Sequence, residues 1–184
     1  GTFGDLFHFI SELELEGEGC NEDIFGICDG DGTIQGAIDN AEDGAIIFVP
    51  QGTYHESIVI DKSIGLVCDT WGCELDVSGL DFGIQVDAND VEVSGFEIVG
   101  DDATRIGIWV RPEAQNTQLF FNIIHGMGAP YSDEDPFSYG ILAYGASSAT
   151  LVQDLNIEIN EIYNISGAGI AMGNYAEYVS IFNN

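Results

Sequence analysis

The sequence predicts an all-β chain: a solenoid of short stacked strands, entered through a short N-terminal capping helix. Three observations carry that expectation. Between Asp43 and Asp69, three apolar, β-branched runs (Ala45–Val49, Ile58–Ile60 and Ile64–Val67) lie too close together for a helix to fit between them. A Gly-Ile start recurs as Gly83-Ile84-Gln85-Val86, Gly107-Ile108-Trp109-Val110, Gly140-Ile141-Leu142-Ala143 and Gly169-Ile170-Ala171-Met172, at intervals of 24, 33 and 29 residues. After each start come a polar, turn-rich bridge and a second alternating strand, over residues 91–98, 118–124, 155–162 and 178–182. Self-similarity with a period of about 20–50 residues marks a repeat array whose units bury their apolar faces against each other. An antiparallel sandwich also has short, closely spaced strands. The matched Gly-Ile starts favour the solenoid, as does the lack of two-residue Asn-Gly or Asp-Gly hairpins between strands. Ile84, Val86, Ile108, Val110, Ile141 and Ile170 share one offset after their glycines and are expected to stack inside.

In chain order, residues 1–30 read as an N-terminal arm and residues 31–184 as the repeat domain. Within the arm, Phe7, Phe9, Leu13 and Leu15 alternate with His8, Glu12, Glu14 and Glu16, the pattern of a half-buried strand. Leu6, Phe9, Ile10 and Leu13 fit an amphipathic helix over the same residues. Ile34, Ala37, Ile38 and Ala41 stand at i, i+3, i+4 and i+7, predicting a short helix capped near Thr33. A turn at Asp43-Gly44 leads into the first strand. The closing stretch Tyr178-Val-Ser-Ile-Phe-Asn-Asn reads as a strand cut partway, with Tyr178 and Ile181 on an open end. An open end of this kind is a template for further strands. A strand from the arm (Phe7, Phe9, Leu13, Leu15) could add to it in a neighbouring copy, giving self-association into an oligomer or polymer.

Composition narrows the function classes. Thirty-two acidic residues against three basic ones (Lys62, Arg105, Arg111) give a formal net charge of −29. Nucleic acid and anionic membrane surfaces both need clustered Lys and Arg, so both are excluded as partners. Self-repulsion of that size calls for screening by salt or divalent cations, which suits an extracellular or cell-surface location. No run of about 18 apolar residues predicts a membrane span. The chain opens on Gly1 with no basic n-region, as a processed mature form or an artificial boundary would. Four cysteines form two local pairs, Cys20 with Cys28 and Cys68 with Cys73, and neither pair has zinc-finger spacing. Two disulfides in an oxidising compartment are the expectation, with a bond between chains as the alternative. Asn164-Ile165-Ser166 is a glycosylation sequon.

A helix, a turn and a strand, ending in Pro50-x-Gly52-Thr53-Tyr54-x-Glu56, resemble the entry to right-handed, single-stranded parallel β-helices of the pectin-lyase-like superfamily. Its members with NosD/CASH-type repeats are the most similar, and the start of pectin methylesterases is also similar. The resemblance covers about residues 31–184 and implies the fold. Gly52 is then expected at a corner, with Tyr54 covering the helix cap. The resemblance also implies what an enzyme of this kind would need. Pectate lyases use calcium-binding aspartates with an arginine base, polygalacturonases use an aspartate triad, and methylesterases use two aspartates with an arginine and a glutamine. No Asp-Phe-Ile-Phe-Gly, Gly-Arg-Pro-Trp, Asn-Thr-Asp or Gly-His-Gly is present, and no second arginine follows Arg111-Pro112.

From the residues themselves, catalysis has little support. Developing charge could be met only by Arg105 or Arg111. Acidic pairs (Asp101-Asp102, Asp87 with Asp90) are expected by chance among so many acids, and His8, His55 and His125 are scattered. Calcium has more. Asp29 and Asp31 stand at i, i+2 on a glycine loop, and Asp133, Glu134 and Asp135 crowd one insertion. A hydrated acidic loop fits the same residues. Carbohydrate binding along the long face needs a row of exposed aromatics, for which Trp109, Tyr139 and Tyr144 are the candidates. The expectation is a non-enzymatic, self-associating subunit of a cell-surface filament, sheath or layer. A β-helix that binds or cleaves polysaccharide is the alternative.

Overall fold

The computed structural model describes residues 25–26, 32–112, 114–129, 137–144, 151–173 and 175–184. Its first strand, β1 (Phe25–Gly26), is followed by a single helix among the described residues, α1 (Ile34–Asn40). The chain then repeats one course. It runs through β2 (Ile46–Val49), β3 (Gly52–Tyr54) and β4 (Ile58–Ile60), and next through β5 (Gly65–Cys68), β6 (Cys73–Asp76) and β7 (Phe82–Val86). The third circuit holds β8 (Glu92–Ser94), β9 (Phe96–Val99) and β10 (Ile106–Val110), the fourth β11 (Gln118–Phe120), β12 (Ile123–His125) and β13 (Tyr139–Ala143). The fifth holds β14 (Val152–Gln153), β15 (Asn156–Glu158), β16 (Glu161–Tyr163) and β17 (Ala168–Met172), and β18 (Ala176–Glu177) and β19 (Ser180–Phe182) follow.

Each circuit contributes one strand to each of three sheets. The first sheet has the order β1-β2-β5-β8-β11-β15-β19, the second β16-β12-β9-β6-β3 and the third β17-β13-β10-β7-β4, with β14 and β18 as a small fourth pair. Every strand pairing among the described residues is parallel. The protein is therefore all-β, with strands in stacked parallel sheets, an arrangement compatible with a parallel β-helix. An antiparallel sandwich is ruled out for the described residues.

Inward residues form unbroken columns. In the third sheet Ile58, Ile84, Ile108, Ile141 and Ile170 stack, beside Ile60, Val86, Val110, Ala143 and Met172. The predicted interior residues are thus in register. All are fully buried except Ile170, which is half-buried on the edge strand β17. Burying each aliphatic side chain contributes roughly 1.5–3 kcal/mol. The repeated glycines make the third sheet possible. A Cβ on Gly107 would lie 2.4 Å from Ile124 Cγ2 and 2.6 Å from the Gly140 carbonyl oxygen, and one on Gly140 2.5 Å from the Gly169 oxygen.

One expectation is corrected. Three of the four predicted second strands, over 91–98, 118–124 and 155–162, are each two strands meeting at a corner, so a circuit has three strands and not two. In residues 91–98 the buried positions run Val91, Val93, then Phe96, Ile98, a slip of one residue at Gly95. The corner turns through a left-handed residue, Gly95 (φ 84°), Phe121 (φ 54°) or Ile159 (φ 55°). Likewise the predicted last strand begins only at Ser180, because Tyr178 (φ 56°) is itself in a left-handed turn.

The helix closes the start of the stack. Ile34, Ala37 and Ile38 are buried on its inner face, and Thr33 is the N-cap, its Oγ1 accepting from the Gly36 N–H at 3.0 Å. Glu56, at the end of the Pro-x-Gly-Thr-Tyr-x-Glu element, accepts from the Ile34 and Gln35 N–H groups at 2.8 and 3.0 Å. Lys62 Nζ donates to the carbonyls of Ile38, Asp39 and Ala41 at the other end. Gln35 then pairs its amide with the Val59 N–H (2.7 Å) and carbonyl (3.2 Å), satisfying edge strand β4 as a neighbouring strand would. Glu56 thus serves the helix N-terminus together with Thr33. The Tyr54 hydroxyl donates to the Pro50 carbonyl. Glu56→Ala leaves two helix N–H groups without their acceptor and should cost about 1–2 kcal/mol. A melting temperature lower by about 3–6 °C is the expected reading, and an unchanged one would show that Thr33 suffices.

Candidate functional site

The corner between the first and second sheets carries the most distinctive chemistry. Asn122 and Asn160, each just after a left-handed residue, point inward and are buried. Asn122 Oδ1 accepts from the Phe96 N–H (3.1 Å) and its Nδ2 donates to the Val93 carbonyl (3.0 Å). One circuit on, Asn160 Oδ1 accepts from the N–H (3.0 Å) and Nδ2 (3.1 Å) of Asn122, and its own Nδ2 donates to Leu119. Asn184 repeats the pattern on Asn160 at 2.9 Å and donates to Ile157. An asparagine column thus satisfies backbone groups that the bent strands leave unpaired. Sequence reasoning missed it. The readable signal was an asparagine directly after Phe121, Ile159 and Asn183.

At the same corner, earlier in the stack, Cys68 and Cys73 form the expected local disulfide, with Cα atoms 5.8 Å apart. They close a loop that displays Trp71, 76% exposed. Cys20 and Cys28, Asp29 and Asp31, Asp133, Glu134 and Asp135, and the arm residues Phe7, Phe9, Leu13 and Leu15 lie outside the described residues. Among the described residues, no three His, Cys, Asp or Glu side chains converge as metal ligands.

The basic residues are drawn into the fold. Besides Lys62 at the helix end, Arg105 faces Asp81 at 3.7 Å, and Arg111 faces Asp87 at 3.6 Å while its guanidinium covers the Trp109 ring at 4.2 Å. Trp109 is half-buried beneath it; of the other candidate aromatics, Tyr139 is half-buried and Tyr144 exposed. His55 contacts Asp76, and His125 contacts Glu97 at 3.1 Å while stacking on Tyr163. Asn164 is exposed, as a glycosylation acceptor must be. Tyr178 and Ile181 are both exposed, at 76% and 48%.

The paired acids of the sequence are occupied locally. Asp90 accepts from Asn116 Nδ2 at 2.7 Å, and Asp87 from Gln85. Asp101 accepts from the N–H groups of Gly79 (3.1 Å) and Ala103 (2.8 Å), tying two circuits together. These bonds, the Gly79 one foremost, hold the Asp101 carboxyl below the ordinary aspartate range. The Ser78 hydroxyl and N–H do the same for Asp76, aided by His55. A depressed folded-state pKa stabilises above the unfolded value, about 3.9, and that stabilisation is lost as pH falls through the folded one. Asp101→Ala should therefore melt below wild type at pH 7, with the two curves converging in acid, as pH falls below the ordinary aspartate range and through the lowered folded-state value. A gap that persists in acid would assign the loss to packing.

A shallow, open groove of about 270 Å³ lies over the first sheet, where Gly65 leaves a gap between Ile46 and Glu92, walled by Asp90, Asn116 and Gln118. Comparison with known protein families, with curated proteins and with solved structures finds no match to this chain.

Proposed function

We propose that this chain is a right-handed, single-stranded parallel β-helix of the pectin-lyase-like type, serving as a non-enzymatic structural subunit of an extracellular surface assembly. One observation carries the reading. The first sheet keeps a single register through β2, β5, β8, β11, β15 and β19, Ile47 on Leu66, then Val93, Leu119, Ile157 and Ile181. A repeat in one register is a template on which strands of the same pattern, including those of a neighbouring subunit, can add. The local disulfide and the acidic surface support an oxidising, salt-rich exterior. The three cations, held in contacts within the chain, support a scaffold more than a site that neutralises an anionic substrate.

Sedimentation and negative-stain electron microscopy at molar salt test the reading. Concentration-dependent filaments or sheets that Ile181→Asp dissolves are expected. A monomer at every salt and protein concentration would overturn it. Deleting residues 1–16 asks separately whether the arm donates a strand, because assembly that continues unchanged excludes that route.

Calcium belongs to the same proposal, at Asp29 and Asp31 or at Asp133, Glu134 and Asp135. A cation bound only by the folded chain stabilises it by RT ln(1+[L]/Kd). Chelation should then lower the melting temperature relative to millimolar calcium, by about 5–10 °C if calcium is a hundredfold above Kd. Identical melting curves would remove calcium from the account.

A further inference from the structure

The loop between Cys68 and Cys73 is held at both ends. The Asp69 N–H donates to the Val49 carbonyl and the Gly52 N–H to the Gly72 carbonyl, both at 3.0 Å, and the disulfide closes the base. Gly72 has φ +108°, and a Cβ there would lie 3.2–3.4 Å from the Gln51 side chain, so the Gln51 amide lies against the loop. Trp71 is thus displayed from a tethered frame, with Gln51 against the loop and Asp69 and Thr70 beside it in the chain, all exposed. We propose that this loop is a saccharide-binding platform for a neutral polysaccharide, with the Trp71 indole as its stacking face.

The chemistry of the neighbours selects the ligand. An exposed indole offers a large apolar face that takes the C–H face of a pyranose ring. Amide, hydroxyl and carboxylate groups beside it exchange hydrogen bonds with sugar hydroxyls. A tryptophan anchoring a protein interface sits among apolar groups that exclude water, whereas the residues flanking Trp71 are polar. Uronate or sulfated polymers are repelled by the chain's net charge of −29. Neutral glycans incur no such penalty. Because the frame is closed beforehand, little conformational freedom is lost on binding. The platform stands apart from the predicted aromatic row at Trp109 and does not depend on the assembly proposed above.

Affinity electrophoresis in native gels containing xylan, galactomannan or mixed-linkage β-glucan tests it, with polygalacturonate as the charged control. At least one neutral polymer should retard the protein. Trp71→Ala should weaken that retardation about fivefold or more, and Tyr175→Ala, an aromatic exposed elsewhere, should leave it unchanged. The double variant Cys68→Ser, Cys73→Ser keeps the indole but frees the loop and should weaken retention about threefold. Trp71 and Trp109 are the only tryptophans, so the same polymers should also shift tryptophan emission to the blue, except in Trp71→Ala. No retardation by any of the three neutral polymers overturns the proposal, as does retardation that Trp71→Ala leaves intact. Loss of self-association in Trp71→Ala without any polymer effect would assign the loop to contact between copies and overturn it equally.

Discussion

Gly107→Ala is expected to lower stability by about 3 kcal/mol, a drop of roughly 6–12 °C in melting temperature for a chain of this size. The added methyl group would meet Ile124 Cγ2 at 2.4 Å and the Gly140 carbonyl oxygen at 2.6 Å. A side chain could rotate away, but the carbonyl belongs to the next strand of the third sheet and is fixed by its ladder. Relief would require moving β13 away from β10, which disturbs the Ile108–Ile141 stack and the columns on both sides. Gly169→Ala is the internal control. Its Cβ would find Ile162 at 3.5 Å, an ordinary contact, so the same substitution in the same repeat position should be tolerated. Equal destabilisation by both would mean that the glycines act through backbone freedom and not through close approach.

Asn160→Ala should cost a comparable amount, about 3–5 kcal/mol, because five side-chain hydrogen bonds are lost. The N–H and Nδ2 of Asn122 lose their acceptor, and the Leu119 and Glu158 carbonyls and Asn184 Oδ1 lose a donor. The bonds to Asn122 and Leu119 are buried, where water cannot readily replace the partner. Asn160→Asp distinguishes this account from a simple cavity. Aspartate fills the same volume and still accepts from Asn122, but it cannot donate to Leu119 and buries a charge. It should be as damaging as alanine at pH 7 and less so in acid, where the protonated carboxyl regains a donor. Thermal melts of both variants at pH 7 and pH 4 are the measurement. An aspartate variant as stable as wild type would show that the column contributes shape alone.

Much of the architecture was legible in the sequence. Alternation and the Gly-Ile starts announced stacked strands with Ile84, Ile108 and Ile141 in one column, because burial on a strand has a period of two and every circuit must present the same face to its neighbours. The 3.6-residue spacing of Ile34, Ala37 and Ile38 announced the helix. Five residues of separation announced the Cys68–Cys73 pair. The charge of −29 constrains the partners before any coordinate is considered.

The vertical relations were decided only by the tertiary structure. Gly-Ile starts 24, 33 and 29 residues apart show that loops of varying length separate the circuits. Chain position therefore does not say that Asn160 sits over Asn122, or that Gln35 completes the edge at Val59. The corners within residues 91–98, 118–124 and 155–162 appear only as one-residue slips of phase, which a period-two reading passes over as continuous strands. The roles of Glu56 and Trp71 were hidden for a related reason. A carboxylate becomes a helix anchor, and an indole an exposed platform, through what the neighbouring circuit and a closed loop place beside it. Those contacts join residues that are distant in the chain or turned outward by the fold, and local pattern carries no information about either.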